Sequence, residues 1–311
     1  MVEGLNRQLD TEVRLAAFKW LSDREMTHGD VFPLDFLRQG FDFRGHRVRV
    51  MGPQGIFKPK ILPELPLSIT TSPKSPYKDS FGEDNLLRYK YRGTDPRHHE
   101  NVGMRRAMVA RTPLIYFHGV VPGKYLAVWP VFIVGDDPAA LTFKVAADDM
   151  AFVRSDANKG RYADSVHDSG TDARRGYITA SVKVRLHQRG FRERVLDAYQ
   201  SQCALCRLKH RGLLDAAHII PDHEVDGLPV VKNGLALCKL HHAAFDQSIL
   251  GIRPDYIVNI RTDIRDETDG PMLKHGLQGL HNTRIVIPKS KRQRPAPELL
   301  ERRWEQFIAA A

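Results

Sequence analysis

Cys203-Ala-Leu-Cys206, Asp215-Ala-Ala-His218-Ile-Ile-Pro221 and Asn233-Gly-Leu-Ala-Leu-Cys238-Lys-Leu-His241-His242-Ala-Ala-Phe-Asp246 follow one another in the C-terminal half of the chain. Two residues separate Cys203 from Cys206, and the same spacing recurs between Cys238 and His241. This spacing lets each pair aim two ligands at one ion, as tetrahedral zinc sites require. All three cysteines of the chain lie in this stretch. The sequence therefore predicts a structural Zn²⁺ site with three cysteine ligands and one histidine ligand.

A second set of polar residues in the same stretch is not used by the zinc ligands. It contains His218, Asn233 and His242, with Asp215 and Asp246 nearby. With these residues the segment resembles the HNH nucleases, which are named for a His, an Asn and a His in this order. The resemblance implies a two-stranded ribbon followed by a helix around one divalent cation, such as Mg²⁺ or Mn²⁺. It also implies that His218 is the general base, that Asn233 orients it, and that His242 holds the metal.

The sequence departs from the family pattern immediately before His218. Many members carry Asp or His there as a further metal ligand, whereas this chain has Ala217. Asp215 lies two residues earlier and would share a strand face with position 217. Asp246 lies four residues after His242 and would share its helix face. Either aspartate could supply the missing ligand, and each could equally be a structural residue at the end of its element.

A segment of the N-terminal half resembles a second protein family. Tyr77-Lys-Asp79-Ser-Phe-Gly-Glu-Asp-Asn-Leu-Leu-Arg88-Tyr-Lys90-Tyr91-Arg92-Gly93 resembles the signature of SRA domains, which bind modified cytosine in DNA. By this resemblance Tyr77 and Tyr91 would stack on a flipped base, and Asp79 would accept a hydrogen bond from its amine. Ordinary strand packing of Tyr91 is the alternative. The basic residues of this segment are predicted to contact the DNA backbone: Arg88, Lys90 and Arg92.

Composition and charge agree with a nucleic-acid partner. The chain has 311 residues, with 47 Lys and Arg against 37 Asp and Glu, and a formal net charge of +10. A positive surface attracts polyphosphate through counterion release. The chain contains no apolar run of 18 residues and its N-terminus has no apolar signal-peptide core. Reduced cysteines in a metal-type array fit the cytoplasm better than a secreted protein. We therefore expect a cytoplasmic protein without a membrane span.

The pattern along the chain predicts an α+β protein with two domains. Residues 1–153 would form an SRA-like domain, a curved β-barrel or sheet of the PUA type with flanking helices. Residues 154–176 are rich in Asp, Ser, Gly and Arg and read as a flexible linker. Residues 177–311 would form the zinc-stabilised HNH domain, of the ββα-metal type, entered by a helix from about Gln188 to Gln200. A strand is predicted at Arg284–Ile287 and a final helix at Glu298–Ile308.

The two resemblances together indicate a modification-dependent restriction endonuclease of the type IV kind, acting on double-stranded DNA. The most direct interpretation is recognition of 5-methylcytosine by base flipping. One nuclease centre cuts one strand at a time, so cleavage of both strands implies a homodimer or two independent events. Three alternatives remain open: an HNH nuclease that reads unmodified sequence, a non-catalytic DNA-binding zinc module, and a nuclease that acts on RNA.

Overall fold

The computed structural model describes residues 2–73, 80–150, 169–268 and 270–310. Over these residues the chain divides into two compact units, and the boundary in the sequence falls between Leu186 and His187. Among the described helices, none combines the length and the apolar character that crossing a membrane requires.

The first unit begins with a long helix. Helix α1 spans Val2–His28 and buries Val13, Ala17, Phe18 and Leu21 completely. Val13, Ala17 and Leu21 recur every four residues, which places them on one apolar face of the helix. Short elements follow: β1 (Val31–Pro33), α2 (Leu34–Gln39), and the hairpin of β2 (Phe41–Phe43) and β3 (His46–Val48). They pack with α1 into one apolar cluster that includes Phe32 and Leu37.

The remaining strands of this unit belong to one curled sheet. Its members are β4 (Ile56–Phe57), β5 (Ser68–Thr71), β6 (Ser80–Phe81), β7 (Leu87–Lys90), β8 (Leu114–Val121), β9 (Lys124–Asp137) and β10 (Thr142–Ala147). Within the described residues their order is β4-β5-β8-β9-β10-β7-β6, and β1 also pairs with β9. The pair β5–β8 is parallel and the others are antiparallel. Helix α3 (His99–Val109) lies between β7 and β8 in the chain. The predicted curved, mostly antiparallel sheet is confirmed as a half-barrel, but an SRA identity is not.

Helix α4 spans Ser169–Ala198 and is much longer than the sequence indicates. The predicted start near Gln188 is wrong, and residues 169–176 of the predicted linker are helical. The reason is tertiary, because Arg174 and Arg175 both bind the buried carboxylate of Asp148 at the end of β10. Residues 151–168, which make up most of the predicted linker, lie outside the described residues.

The second unit is a small mixed fold around a single apolar cluster. After the last part of α4, strands β11 (Leu214–His218) and β12 (Gly234–Cys238) form an antiparallel ribbon that leads directly into α5 (Lys239–Asp246). A second ribbon pairs β13 (Leu250–Ile252) with β14 (Val258–Ile260). The remaining helices are α6 (Thr262–Asp266), α7 (Pro271–Gly276) and α8 (Pro297–Ala309). The strand predicted at Arg284–Ile287 is wrong, since this segment forms only an isolated bridge from Arg284 to Ile257 and separate backbone bonds from Ile285 to Tyr256 and from Val286 to Ala204.

Candidate active site and zinc centre

The predicted zinc ligands converge on one point. The ligand atoms of Cys203, Cys206, Cys238 and His241 all lie within 4.8 Å of one another. Nδ1 of His241 is 3.4 Å from Sγ of Cys203 and 3.2 Å from Sγ of Cys238, and the Sγ atoms of Cys206 and Cys238 are 3.9 Å apart. A tetrahedron with zinc–ligand bonds of 2.0–2.3 Å has edges of roughly 3.4–3.8 Å. The four residues therefore fit one Zn²⁺ ion.

The surroundings of the cluster also suit a metal. Nε2 of His241 lies 2.7 Å from the carbonyl oxygen of Gly276, so it can donate its proton there and leave Nδ1 as the ligand atom. Cys203 and Cys238 share a hydrogen bond that lowers the pKa of the Cys203 thiol and raises that of Cys238, so the first proton leaves from Cys203. His241 is almost completely buried. The donor set is thus preorganised by the protein around it.

The ββα arrangement places the second set of residues beside α5. In the β11–β12 register Leu214 faces Cys238 and His218 faces Gly234. A side chain at position 234 could not be accommodated, because a Cβ atom there would lie 2.4 Å from Val195. The close approach of α4 to the ribbon explains this glycine. It also brings α4 against His218.

His218 is half-buried on a flat apolar surface. Its ring stacks on Phe191 of α4, with the centroids 4.0 Å apart and the planes 14° from parallel. Its Nε2 atom is buried and has no hydrogen-bond partner among the described residues. Burial lowers the pKa of His218, and its charged neighbours Asp222, His242 and Asp246 also act on it. The lowered pKa favours the neutral imidazole, which is the form that accepts a proton.

Asn233 is fully buried and holds the loop that follows His218. Its Oδ1 accepts a hydrogen bond from the backbone nitrogen of Ile220 at 2.9 Å. Its Nδ2 donates to the carbonyl oxygens of Ile220 at 2.9 Å and Leu228 at 3.2 Å. The carbonyl of Asn233 itself accepts from Ile219. These contacts fix the backbone just after His218, whereas direct bonding to the imidazole is not among them.

His242 lies between the two candidate aspartates. Its Nδ1 is 3.5 Å from Oδ2 of Asp215, and its Nε2 is 3.3 Å from Oδ2 of Asp246. The two ring nitrogens of an imidazole point in different directions, so one ion on one nitrogen can reach only one of these carboxylates. Ala217 is fully buried in the apolar cluster, which accounts for a small apolar residue at this position.

The two aspartates differ in their remaining partners. Asp215 also pairs with Lys239 and lies 3.8 Å from Arg192. Burial raises the pKa of Asp215, but the hydrogen bond from Lys239 and the charges of Lys239 and His242 outweigh this, so its pKa is lowered. Asp246 is more than half exposed and pairs with His242. Asp215 is thus already neutralised, while Asp246 is open to solvent.

The predicted base pocket receives no support from the described residues. Tyr77 and Asp79 lie outside them. Tyr91 is buried, stacks on Phe143 with a centroid distance of 4.5 Å, and bonds through its hydroxyl to Asp136 and Arg105. Burial and the bond to Asp136 raise its pKa, and the contact with Arg105 only partly opposes them. This is the strand-packing role given above as the alternative.

The three predicted backbone-contacting residues lie on or next to β7. Arg88 binds Asp84 at 2.7 Å, and Arg92 lies 3.6 Å from Glu100. Lys90 is exposed. Lys90 is therefore the member of this group whose charge faces solvent most freely.

Three neighbours of the site have no signal in the local sequence. Phe191 forms the surface under His218, Lys239 neutralises Asp215, and Arg303 donates to the carbonyl oxygens at the end of α5. The apolar stripe of α4 predicts that Phe191 is buried, but not what it contacts. Lys239 lies one helical turn before His242, and both contact Asp215. A lysine at such a position is too common to indicate an ion pair from the sequence.

Comparison with known proteins agrees with this geometry. Residues 203–253 match the HNH endonuclease family. The predicted resemblance is therefore confirmed for this segment, which contains both ribbon strands and α5. No curated protein gives a significant match to the chain.

Two solved structures have partial similarity. The modification-dependent TagI restriction endonuclease aligns over 78% of this chain and 82% of its own, with 14% identity and a TM-score of 0.28. The type IV phosphorothioation-dependent restriction endonuclease ScoMcrA aligns over 61% of this chain, with 15% identity and a TM-score of 0.23. This chain covers 51% of ScoMcrA, about half its length. Both TM-scores are too low to assign a fold or a function.

Proposed function

We propose that the chain is a divalent-metal-dependent DNA endonuclease whose catalytic centre lies in residues 187–311. The observation that carries the proposal is the position of a half-buried His218 within electrostatic reach of the His242–Asp246 pair, on a ββα segment that matches the HNH endonucleases. Phosphodiester hydrolysis needs a base for water and a cation for the developing charge. This site offers candidates for both.

The residues divide into ligands and supports. His242, through Nε2, and Asp246 would hold a Mg²⁺ or Mn²⁺ ion, because their donor atoms are adjacent and Asp246 is open to solvent. Asp215 would accept a hydrogen bond from the Nδ1–H of His242 and so orient the ring, as carboxylates commonly do behind a metal-bound histidine. On this proposal Asp246 is the second metal ligand, and Asp215 supports His242.

The chemistry then follows from the positions of the side chains. The bound cation would bind the scissile phosphate and stabilise charge on the leaving 3′-oxygen. His218 would take a proton from the attacking water, and its stacking on Phe191 would limit rotation of the ring. Asn233 would hold the backbone beside His218 so that the imidazole stays in place. The four-ligand zinc site would only join the Cys203–Cys206 segment to the start of α5.

The roles of the two aspartates lead to a quantitative prediction. Asp246→Asn should raise the Mn²⁺ concentration for half-maximal cleavage at least tenfold, because a ligand is weakened. Asp215→Asn should have a smaller effect, since an amide can still orient His242 through a hydrogen bond. Metal titrations of plasmid cleavage by both variants provide the measurement. A larger effect of Asp215→Asn would reverse the assignment.

Recognition of modified DNA is the part of the proposal that concerns the first unit. It rests on the sequence resemblance from Tyr77 to Gly93, and 5-methylcytosine recognised by base flipping is its most specific form. A curled sheet of this kind is compatible with such a domain, but Tyr91 is packed in the core and would have to move to stack on a base. Lys90, with Arg88 and Arg92, would contact the DNA backbone.

The test is cleavage of one plasmid in three forms: unmodified, cytosine-methylated and phosphorothioated. We expect cleavage of the methylated form alone, in the presence of Mg²⁺ or Mn²⁺. Equal cleavage of all forms would leave the nuclease and overturn modification dependence. Cleavage of the phosphorothioated form alone would move recognition from the base to the backbone. A protein that binds these DNAs and cuts none, nor any RNA, would be the non-catalytic zinc module.

A further inference from the structure

Helix α8 lies outside the segment that matches the HNH endonucleases, yet it contacts the candidate site. Two adjacent arginines on this helix reach the two sides of the site. Arg302 pairs with Glu224 and donates to the carbonyl oxygen of Val225 at 3.0 Å, within the loop that follows His218. Arg303 donates to the carbonyl oxygens of Phe245 and Asp246, which end α5.

Arg303 contacts the C-terminal end of α5. The last carbonyl groups of a helix have no partner within the helix and need one from elsewhere. Nη2 of Arg303 lies 2.9 Å from the oxygen of Phe245 and 3.4 Å from that of Asp246. A cation at this end of a helix also interacts favourably with the helix dipole. The guanidinium therefore adds to the backbone bond from Ser248 to Phe245 and also contacts the carbonyl of Asp246, so it reinforces the last turn of α5.

The arginine is itself held in place. Its guanidinium lies over the ring of Phe245, with Cζ 4.9 Å from the centroid, and Nη1 donates to Gln306 at 3.0 Å. Burial lowers the pKa of Arg303, while the charges of Asp246 and Glu224 oppose this change. Burying a charged guanidinium costs free energy, and the hydrogen bonds to the carbonyl oxygens of α5 offset part of this cost.

Helix α8 does not need Arg303 in order to dock. Leu300 and Phe307 are buried, and Phe307 packs so closely on Gly251 that a Cβ atom there would lie 2.5 Å away. Loss of the guanidinium should therefore leave α8 in place and release only the end of α5. Asp246 would then sample more positions relative to Nε2 of His242.

We infer that Arg303 is a positioning residue of the nuclease site, which holds Asp246 in the geometry needed to bind the divalent ion together with His242. This inference rests on the proposed function, because it assigns Asp246 as a ligand. It makes α8 a required part of the catalytic unit, although the matched family segment ends more than 40 residues before this helix.

The test is Mn²⁺ binding by the zinc-loaded full chain, measured by electron paramagnetic resonance without DNA, together with Mn²⁺ titration of plasmid cleavage. Arg303→Gln should weaken Mn²⁺ binding and raise the half-activating concentration about tenfold, as is typical when a residue behind a metal ligand is lost. At saturating Mn²⁺ the cleavage rate should recover. Arg303→Lys, which keeps one donor, should lie between the variant and the wild type. Glu305→Gln, on an exposed position of the same helix, is the matched control and should match the wild type.

The outcomes separate the two levels of the argument. Wild-type protein that binds no Mn²⁺ and cuts no nucleic acid would contradict the proposed function itself. Wild-type protein that does both, with Arg303→Gln unchanged in Mn²⁺ affinity, would overturn the inference and leave the nuclease standing. If Arg303→Gln does not fold, the lysine variant decides, since an unchanged Mn²⁺ affinity there overturns the inference equally.

Discussion

His218→Ala should lower the rate of DNA cleavage by roughly 10²- to 10⁴-fold, the range expected when a general base is removed. The zinc content and the unfolding temperature should change little, because the ring is half-buried and Ala is tolerated on a strand edge facing the site. Single-turnover cleavage of a plasmid at saturating Mn²⁺ measures the effect. His223→Ala, five residues further along and 79% exposed, is the matched control and should cleave like the wild type.

The pH dependence provides an independent check on the same residue. A general base acts in its neutral form, which is populated above its pKa. Burial lowers the pKa of His218 below 6.5, so the neutral form persists into more acidic solution. The acid limb of kcat/KM should therefore lie below pH 6.5 in the wild type. A residual activity of His218→Ala that keeps the same acid limb would show that another group is the base.

The second large effect concerns the zinc centre. Cys206→Ala should reduce bound zinc from one ion per chain to none and abolish the cooperative unfolding transition of residues 187–311. Structural zinc sites contribute about 10–16 kcal/mol in small zinc modules, whereas a whole domain is stable by only about 5–15 kcal/mol. Cys206 is the exposed cysteine of the three, so its replacement removes a ligand without opening a cavity in the core.

Atomic absorption together with thermal unfolding followed by circular dichroism measures this effect. The matched control is Lys209→Ala, at an exposed position three residues after Cys206, where no metal ligand is lost. A Cys206→Ala protein that keeps its zinc, or that loses zinc and still unfolds at the wild-type temperature, would contradict the structural role. The wild-type protein treated with a strong chelator should behave like Cys206→Ala.

The parts of the site that the sequence predicts are those encoded by short spacings. The pairs Cys203–Cys206 and Cys238–His241 point to one ion because a turn and a helix start fix their geometry locally. The resemblance of His218, Asn233 and His242 to the HNH nucleases implies a ribbon followed by a helix, and the structure contains both. The i, i+4 relation of His242 and Asp246 is also a local property, and it brings their side chains to 3.3 Å.

The parts that the sequence does not predict depend on contacts between distant segments. The stacking of Phe191 on His218 requires α4 to cross the ribbon at Gly234. The bond of Arg303 to Phe245 joins residues 58 positions apart. Helix α4 itself starts early because Asp148 binds two of its arginines, a contact that composition alone cannot reveal. The polar, glycine-containing residues 154–176 therefore have the composition of a linker, although residues 169–176 are helical.

The N-terminal resemblance illustrates a different limit. Tyr91 directly follows β7 and alternates with the basic residues Lys90 and Arg92, as a residue of a base-binding barrel would. The same alternation places its ring in the core, where it stacks on Phe143 and bonds to Asp136. A period of two fixes which face of a sheet a residue occupies, but not whether that face is a pocket or a packed interior.

The most direct test of the account is the cleavage of supercoiled plasmid, carried out on methylated, phosphorothioated and unmodified forms, by protein that keeps its zinc but has been freed of weakly bound metal. We predict no cleavage without added divalent ion, cleavage of at least one form when Mn²⁺ or Mg²⁺ is added, and loss of that activity in His218→Ala. Absence of cleavage with either ion on every form, or equal cleavage by His218→Ala, would contradict it.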